Sequence, residues 1–186
     1  MQKIMVVLGS TRPGRQGQKI HDWFKEFIEA NPHDEATFDF VDLADYNLPL
    51  LDEPMPAMFG NYQHEHTKKW SEKVAAYDGY IFVIPEYNHA APAAVKNALD
   101  FLYKEWVHKP IGFVSYGYHL GVRAAEQLRT ASINLEMAPV NAQVEVDLSS
   151  SMSKDGEFTA SDYNKAQAKK LVEDIVWWSK ALSAAR

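Results

Sequence analysis

At 186 residues the chain suits one domain with a proper core, and its 46% apolar and 24% charged content is that of a soluble globular protein. A net charge of −6, from 19 Lys and Arg against 25 Asp and Glu, argues against a nucleic-acid partner, which needs a basic patch. Cysteine is absent, which excludes disulfides, thiolate nucleophiles and Cys-ligated zinc or iron–sulfur clusters.

The first apolar run, Ile4-Met-Val-Val-Leu8, reads as a strand buried on both faces. Gly9-Ser-Thr-Arg12 ends it too early for a secretory segment, and no stretch approaches the ~20 apolar residues of a membrane span. A cytoplasmic protein without a membrane partner is therefore expected. Residues 18–30 place Ile20, Trp23, Phe24, Phe27 and Ile28 on one helical stripe, stopped by Asn31-Pro32. An edge strand over 37–41 follows, then a long irregular segment, 42–63, rich in Pro and Leu and of the kind that covers a site. A helix over 66–77 leads to a central strand over 79–84, and a helix over 93–103 leads to another over 110–115. Residues 124–135 read as helix and 140–144 as a weaker edge strand. The last helix, 161–184, starts on the N-cap pair Ser161-Asp162 and repeats Leu171, Ile175, Trp178 and Leu182. Strands alternating with helices mean right-handed βαβ units. The expectation is one α/β domain over 1–186, with a five-stranded parallel sheet in order 2-1-3-4-5 and its switch point between the first and third strands.

The loop after the first strand is Gly9-Ser-Thr-Arg-Pro-Gly-Arg-Gln-Gly-Gln18. Glycines, hydroxyls and arginines at a helix N-terminus are what a phosphate dianion needs, although an ordinary βα turn has the same residues. The spacing from Gly9 to Gly14 is that of a Walker loop, but Arg15-Gln16 replaces the Lys-Ser/Thr, and the dinucleotide GxGxxG pattern is missing.

After the third strand come Pro85-Glu-Tyr-Asn88, then Pro92, then Lys96-Asn-Ala-Leu-Asp100. Together with Gly9-Ser-Thr-Arg12, these motifs resemble the NADPH-dependent FMN reductase family, which includes quinone, azo and chromate reductases. The resemblance runs over nearly the whole chain, including Asp42-Leu43, Leu48-Pro49 and Ser115-Tyr116-Gly117. It implies a flavodoxin-like three-layer sandwich that binds FMN. Ser10, Arg12 and the backbone of Gln16, Gly17 and Gln18 would hold the phosphate. Pro85, Glu86, Tyr87 and Asn88 would line the ribityl chain and ring edge, and Ser115, Tyr116 and Gly117 would close the far side.

The implied activity is ping-pong transfer of hydride from NADPH or NADH, through FMN, to a small acceptor such as a quinone, flavin or azo compound. The flavin carries the chemistry, so no catalytic side chain is expected. A one-electron carrier of the flavodoxin type, or a flavin-binding regulatory protein, is the alternative. Relatives of this kind form homodimers or dimers of dimers. Phe101, Tyr103 and Trp106 would supply apolar area to such a contact, or else fill the chain's own core.

Two departures from the family pattern stand out. Arg15 occupies a position that is often serine, and would meet the 2′-phosphate of NADPH or lie in water. Tyr118-His119-Leu120-Gly121 replaces a glycine-rich stretch and would narrow the space over the flavin. His64 and His66 are two apart, do not share a helix face and have no third ligand placed by sequence, so no metal is expected.

Overall fold

A strand with apolar side chains on both sides has to be covered twice, and the central strands here are of that kind. In the computed structural model, which describes residues 1–186, β1 (Gln2–Leu8) is buried from Ile4 onward. β3 (Gly79–Pro85) and β4 (Pro110–Gly117) are buried along their whole length. β2 (Ala36–Asp42) and β5 (Ala138–Asp147) take the two edges, with buried residues interspersed among more exposed ones. All pairings are parallel, in order β2-β1-β3-β4-β5, as the alternating runs predict.

Successive side chains of a strand go to opposite faces, and this divides the interior into two cores. Ile4, Val6, Ile81, Val83, Val114 and Tyr116 share one core with Ile20 and Phe24 of α1 (Gly17–Ala30). Met5, Val7, Tyr80, Phe82, Ile84 and Phe113 face the other way. They share a core with α2 (Glu65–Ala75), α3 (Ala93–Asp100) and α4 (Val122–Asn134). A single helical turn, α5 (Leu148–Ser151), follows the last strand, and α6 (Asp162–Ala185) closes the first core beside α1. Its start is a full capping box, with the Ser161 hydroxyl on the Asn164 amide and the Asn164 side chain on the Ser161 amide.

Three local expectations need correction. β5 runs to Asp147, well past residue 144, because an edge strand buries one side only and its polar alternate residues, Gln143 and Glu145, hide the signal. α3 stops at Asp100, short of 103. Beyond it the chain turns so that Phe101 and Trp106 are fully buried, with Trp106 edge-on to Tyr80 and its indole N–H on the Leu99 carbonyl. Those two aromatics are core and supply no contact area. The apolar stripe of α6 is Ala168, Leu171, Val172, Ile175 and Val176, while Trp178 is 40% exposed. The helix lies too close to the sheet for an indole: a Cβ on Gly112 would sit 2.6 Å from the Leu171 side chain.

The registry of α6 can be tested by truncation. Leu171→Ala should cost about 2–5 kcal/mol in urea unfolding, as a buried leucine does, and Trp178→Ala less than about 1 kcal/mol. Equal losses would mean that α6 is rotated from the position described.

Candidate functional site

β1 is followed by a helix on one face of the sheet and β3 by a helix on the other, so their loops diverge and leave a crevice at the carboxyl edge. A cleft of about 330 Å³ lies there. Arg12 and Gln16 come to it from the loop after β1, and Pro85, Glu86 and Tyr87 from the end of β3 and its loop. Tyr116, Gly117 and Tyr118 come from the end of β4, and Leu148 from α5. A larger groove of about 490 Å³ lies between α1 and the β2 edge, and takes nothing from these loops.

Seven of the twelve residues expected at the site line the cleft: Arg12, Gln16, Pro85, Glu86, Tyr87, Tyr116 and Gly117. The other five stand around it. Ser10 is fully buried, with its hydroxyl 2.8 Å from the Tyr87 hydroxyl, and so joins the first loop to the third. Gly17 is the first residue of α1, and a Cβ there would lie 2.3 Å from the Tyr116 hydroxyl; only glycine lets the helix start this close. Gln18 points outward, its amide on Asp22. Asn88 is an exposed central residue of a tight turn. Ser115 is buried, donating its hydroxyl to the Leu120 carbonyl at 2.6 Å and accepting from Gln143.

The turn after β3 is closed by paired backbone bonds between Tyr87 and Ala90, with Asn88 at φ +52° and His89 at φ +64°. Two left-handed central residues make this a type I′ turn, which holds the Tyr87 ring in place. The Arg12 guanidinium lies over that ring, 5.8 Å from its centre.

Several donors and acceptors here have no partner in the chain. The backbone N–H groups of Gln16, Gly17 and Gln18, at the start of α1, have no acceptor within the chain. The buried Tyr116 hydroxyl and the buried Gln16 side-chain oxygen also lack partners. Burial raises the Tyr116 phenol well above its ordinary pKa, so it is a neutral hydroxyl donor. A buried polar atom left unpaired costs about 1–3 kcal/mol. Free N–H groups at a helix start suit an anion, and an idle hydroxyl beside an idle amide oxygen suits a polyol phosphate, which offers both acceptors and donors.

Two charged residues of these loops, Arg15 and Glu86, are committed elsewhere. Arg15 pairs with Asp42 and also donates to the Ser10 carbonyl at 2.6 Å, so it braces the first loop from outside the cleft. The Glu86 carboxylate takes the Arg123 guanidinium at 2.8 Å and the Arg123 amide at 3.0 Å, capping α4. Burial raises the Glu86 carboxyl, but the two Arg123 bonds outweigh it and hold the group below the ordinary glutamate value. The Glu86 backbone N–H is engaged as well, donating to the Tyr116 carbonyl at 3.1 Å.

The segment after β2 folds over a second cleft of about 330 Å³, lined by Thr11, Leu43, Ala44, Asn47, Leu48, Ala94 and Asn97. Asn97 pins this segment with two bonds, donating to the Pro49 carbonyl at 2.6 Å and accepting from the Leu51 amide at 2.9 Å. Tyr62 anchors its far end on the buried Glu105 carboxylate at 2.8 Å. His64 and His66 stack 5.2 Å apart, and both reach Asp52. Sequence reasoning missed Leu148, because β5 was read too short to end beside the cleft. It also missed Arg123 and Gln143, for which the sequence carries no signal.

Residues 2–150 match the family described as NADPH-dependent FMN reductase. An NAD(P)H-dependent FMN reductase of a Nectria species is 44% identical over 141 residues, covering 74% of this chain and 70% of that one. An NADPH azoreductase of a Bacillus species is 30% identical over 182 residues, covering 96% and 91%. Among solved structures, the flavoenzyme NAD(P)H:(acceptor) oxidoreductase FerB of Paracoccus denitrificans superposes with a TM-score of 0.73 over 97% of this chain and 98% of its own, at 18% identity.

Replacing Glu86 tests its structural role. Glu86→Gln should lower stability at neutral pH by about 1–2 kcal/mol, the worth of a bond to a charged group. Because the folded-state pKa is depressed, that contribution is present above the ordinary value of 4.5 and is lost as pH falls through the folded value. Urea midpoints of variant and wild type should therefore converge in acid, and a gap that does not change with pH would contradict this assignment.

Proposed function

The chain belongs to the NADPH-dependent FMN reductase family, NAD(P)H-dependent flavin oxidoreductases, and from that premise we propose that the cleft between β1, β3 and β4 is where it holds FMN. The observation that carries this reading is the group of idle polar atoms at one place: three backbone N–H groups, the Tyr116 hydroxyl and the Gln16 amide oxygen. Bound FMN supplies the hydride-transfer chemistry, and the protein supplies binding, orientation and electrostatics.

Gln16, Gly17 and Gln18 would hold the phosphate through their backbone, as the free N–H groups of a helix start do. Arg12 is exposed, kept above the cleft by the Tyr87 ring, and would add the only uncommitted positive charge. Tyr116 would donate from below, and Ser10 would fix the Tyr87 hydroxyl for the same ligand. Pro85 to Asn88 and Gly117 would line the flat part of the cofactor with backbone; the Glu86 and Tyr87 N–H groups are spent on the Tyr116 and Ala90 carbonyls, which leaves the Asn88 amide to stabilise negative charge that develops there. Ser115 acts indirectly, by bracing the turn that carries Tyr118.

NAD(P)H and the acceptor would use the same open face in turn, which makes the kinetics ping-pong. Quinones, flavins and azo compounds are the acceptor classes, since a planar oxidant is what such a face admits. The expected form is a homodimer in the cytoplasm. Leu50, Leu51, Met55, Met58 and Phe59 are each 48–82% exposed on the segment that Asn97 pins, and a second copy of the chain would cover them.

The test is an absorbance spectrum after FMN addition and desalting, followed by anaerobic titration with NADPH. Retained flavin bands that bleach are expected, and a protein that retains none would overturn the assignment. Tyr116→Phe should raise the Kd for FMN roughly tenfold or more, the scale of one bond to a charged group. An unchanged Kd would remove Tyr116 from the site.

A further inference from the structure

Two histidines stand on the turns that flank the cleft, and the flavin reading gives neither of them a task. His89 is the second central residue of the type I′ turn after β3, at φ +64°. That position favours glycine, and a larger residue held there is strained. His119 lies in the turn after β4, just before Leu120, which is also left-handed at φ +63°. Each turn is tied down from outside. Gln127 of α4 accepts from the Ala91 amide at 3.0 Å and donates to the His89 carbonyl at 3.2 Å. Ser115 holds the Leu120 carbonyl at 2.6 Å.

This backbone brings the two imidazoles together. Their ring centres are 6.3 Å apart, nearly edge to face, and both side chains are exposed. Beside them Tyr118, 77% exposed, lines the cleft with its ring free. An aromatic face on the cleft therefore has two exposed imidazoles on the turns that follow Tyr87 and Tyr118, just outside the residues that line it.

The charges facing this pair are few. Glu86, near His89, already holds the guanidinium and amide of Arg123. Asp147, near His119, already accepts from the amide and hydroxyl of Ser149 and from Ser150. Both carboxylates are engaged by these partners, and neither is hydrogen-bonded to an imidazole, so a ring N–H at either position is left for a ligand. Arg12, over Tyr87, adds a permanent positive charge on the same cleft.

We propose that His89 and His119 form a selectivity rim that favours planar electron acceptors carrying an anionic substituent, a sulfonate or carboxylate, with the acceptor ring against Tyr118. The proposal rests on the cleft being the flavin site. The rim thus gives the positions where the chain departs from its family, Tyr118 and His119, a role in choosing the acceptor.

The test compares wild type with the double variant His89→Asn/His119→Asn, since asparagine tolerates positive φ and carries no charge. With FMN-loaded protein and saturating NADPH, kcat/KM is measured for 1,4-naphthoquinone-2-sulfonate and for 2-methyl-1,4-naphthoquinone. The sulfonated-to-neutral ratio should fall about fivefold in the variant, the scale of hydrogen bonds to a charged group at an exposed site. In parallel, quenching of intrinsic fluorescence gives the Kd of the sulfonated quinone without turnover, and this should rise by the same factor. An unchanged ratio, an equal loss for both quinones, or a rise confined to the KM for NADPH would overturn the proposal. Loss of FMN from wild type and variant alike would tell against the flavin site, while the fluorescence titration would still decide the rim.

Discussion

The contact between the start of α1 and the end of β4 is the one on which the rest of the site depends. Gly17 lies against the Tyr116 hydroxyl so closely that a methyl group there would be 2.3 Å from it. This closeness puts a helix N-terminus, with its free N–H groups, within the same small volume as a phenol from the neighbouring layer. Buried apolar packing supplies the force that holds it, since Tyr116 shares a core with Ile20 and Phe24 of α1. The site is the end of that core, where polar atoms replace apolar ones and wait for a partner.

Around the contact, charge is used mainly to set backbone. Arg15 and Asp42 neutralise each other across the first loop and the end of β2, and Arg123 and Glu86 do so across the third loop and α4. Each pair ties a loop at the carboxyl edge to an element behind it. Ser115 does the same without charge, through Leu120 and Gln143. Loops held in this way present a fixed surface to a ligand, and the ordering entropy is lost at folding rather than at binding. An uncommitted Arg12 and two exposed histidines then carry the variable electrostatics.

The segment between β2 and α2 has a different character. It makes two short helical turns and leaves several large apolar side chains in solvent, yet it is anchored at both ends. Asn97, in the motif Lys96-Asn-Ala-Leu-Asp100, spends both ends of its amide on this segment, and Lys96 pairs with Asp100 one turn along. In this chain that motif acts on architecture: it fixes the cover and leaves the cleft to other residues.

The layout of the fold was legible in the residues because burial on two faces leaves a plain mark. Continuous runs at Ile4–Leu8 and Ile81–Ile84 can only be central parallel strands, and the helical stripe of α1 names the face it packs on. The loop after β1 stood out by its glycines and hydroxyls at a helix start, and Pro85-Glu-Tyr-Asn88 by its likeness to a family motif. Glu86, Arg15 and Ser115 were visible as polar residues at the right place, but not in their actual tasks. Their partners, Arg123, Asp42 and Gln143, lie 37, 27 and 28 residues away in sequence. The face of α6 was likewise decided by another element: Gly112 of β4 leaves room for Leu171 and Ile175 to pack on it, while Trp178 is 40% exposed. Sequence by itself determined the layers, the strand order and the edge at which the motif-bearing loops meet, because these follow from local periodicity and chain connectivity. Which polar atoms stay free at that edge was decided only by the tertiary structure, because a donor is idle or engaged according to what folding brings within about 3 Å of it.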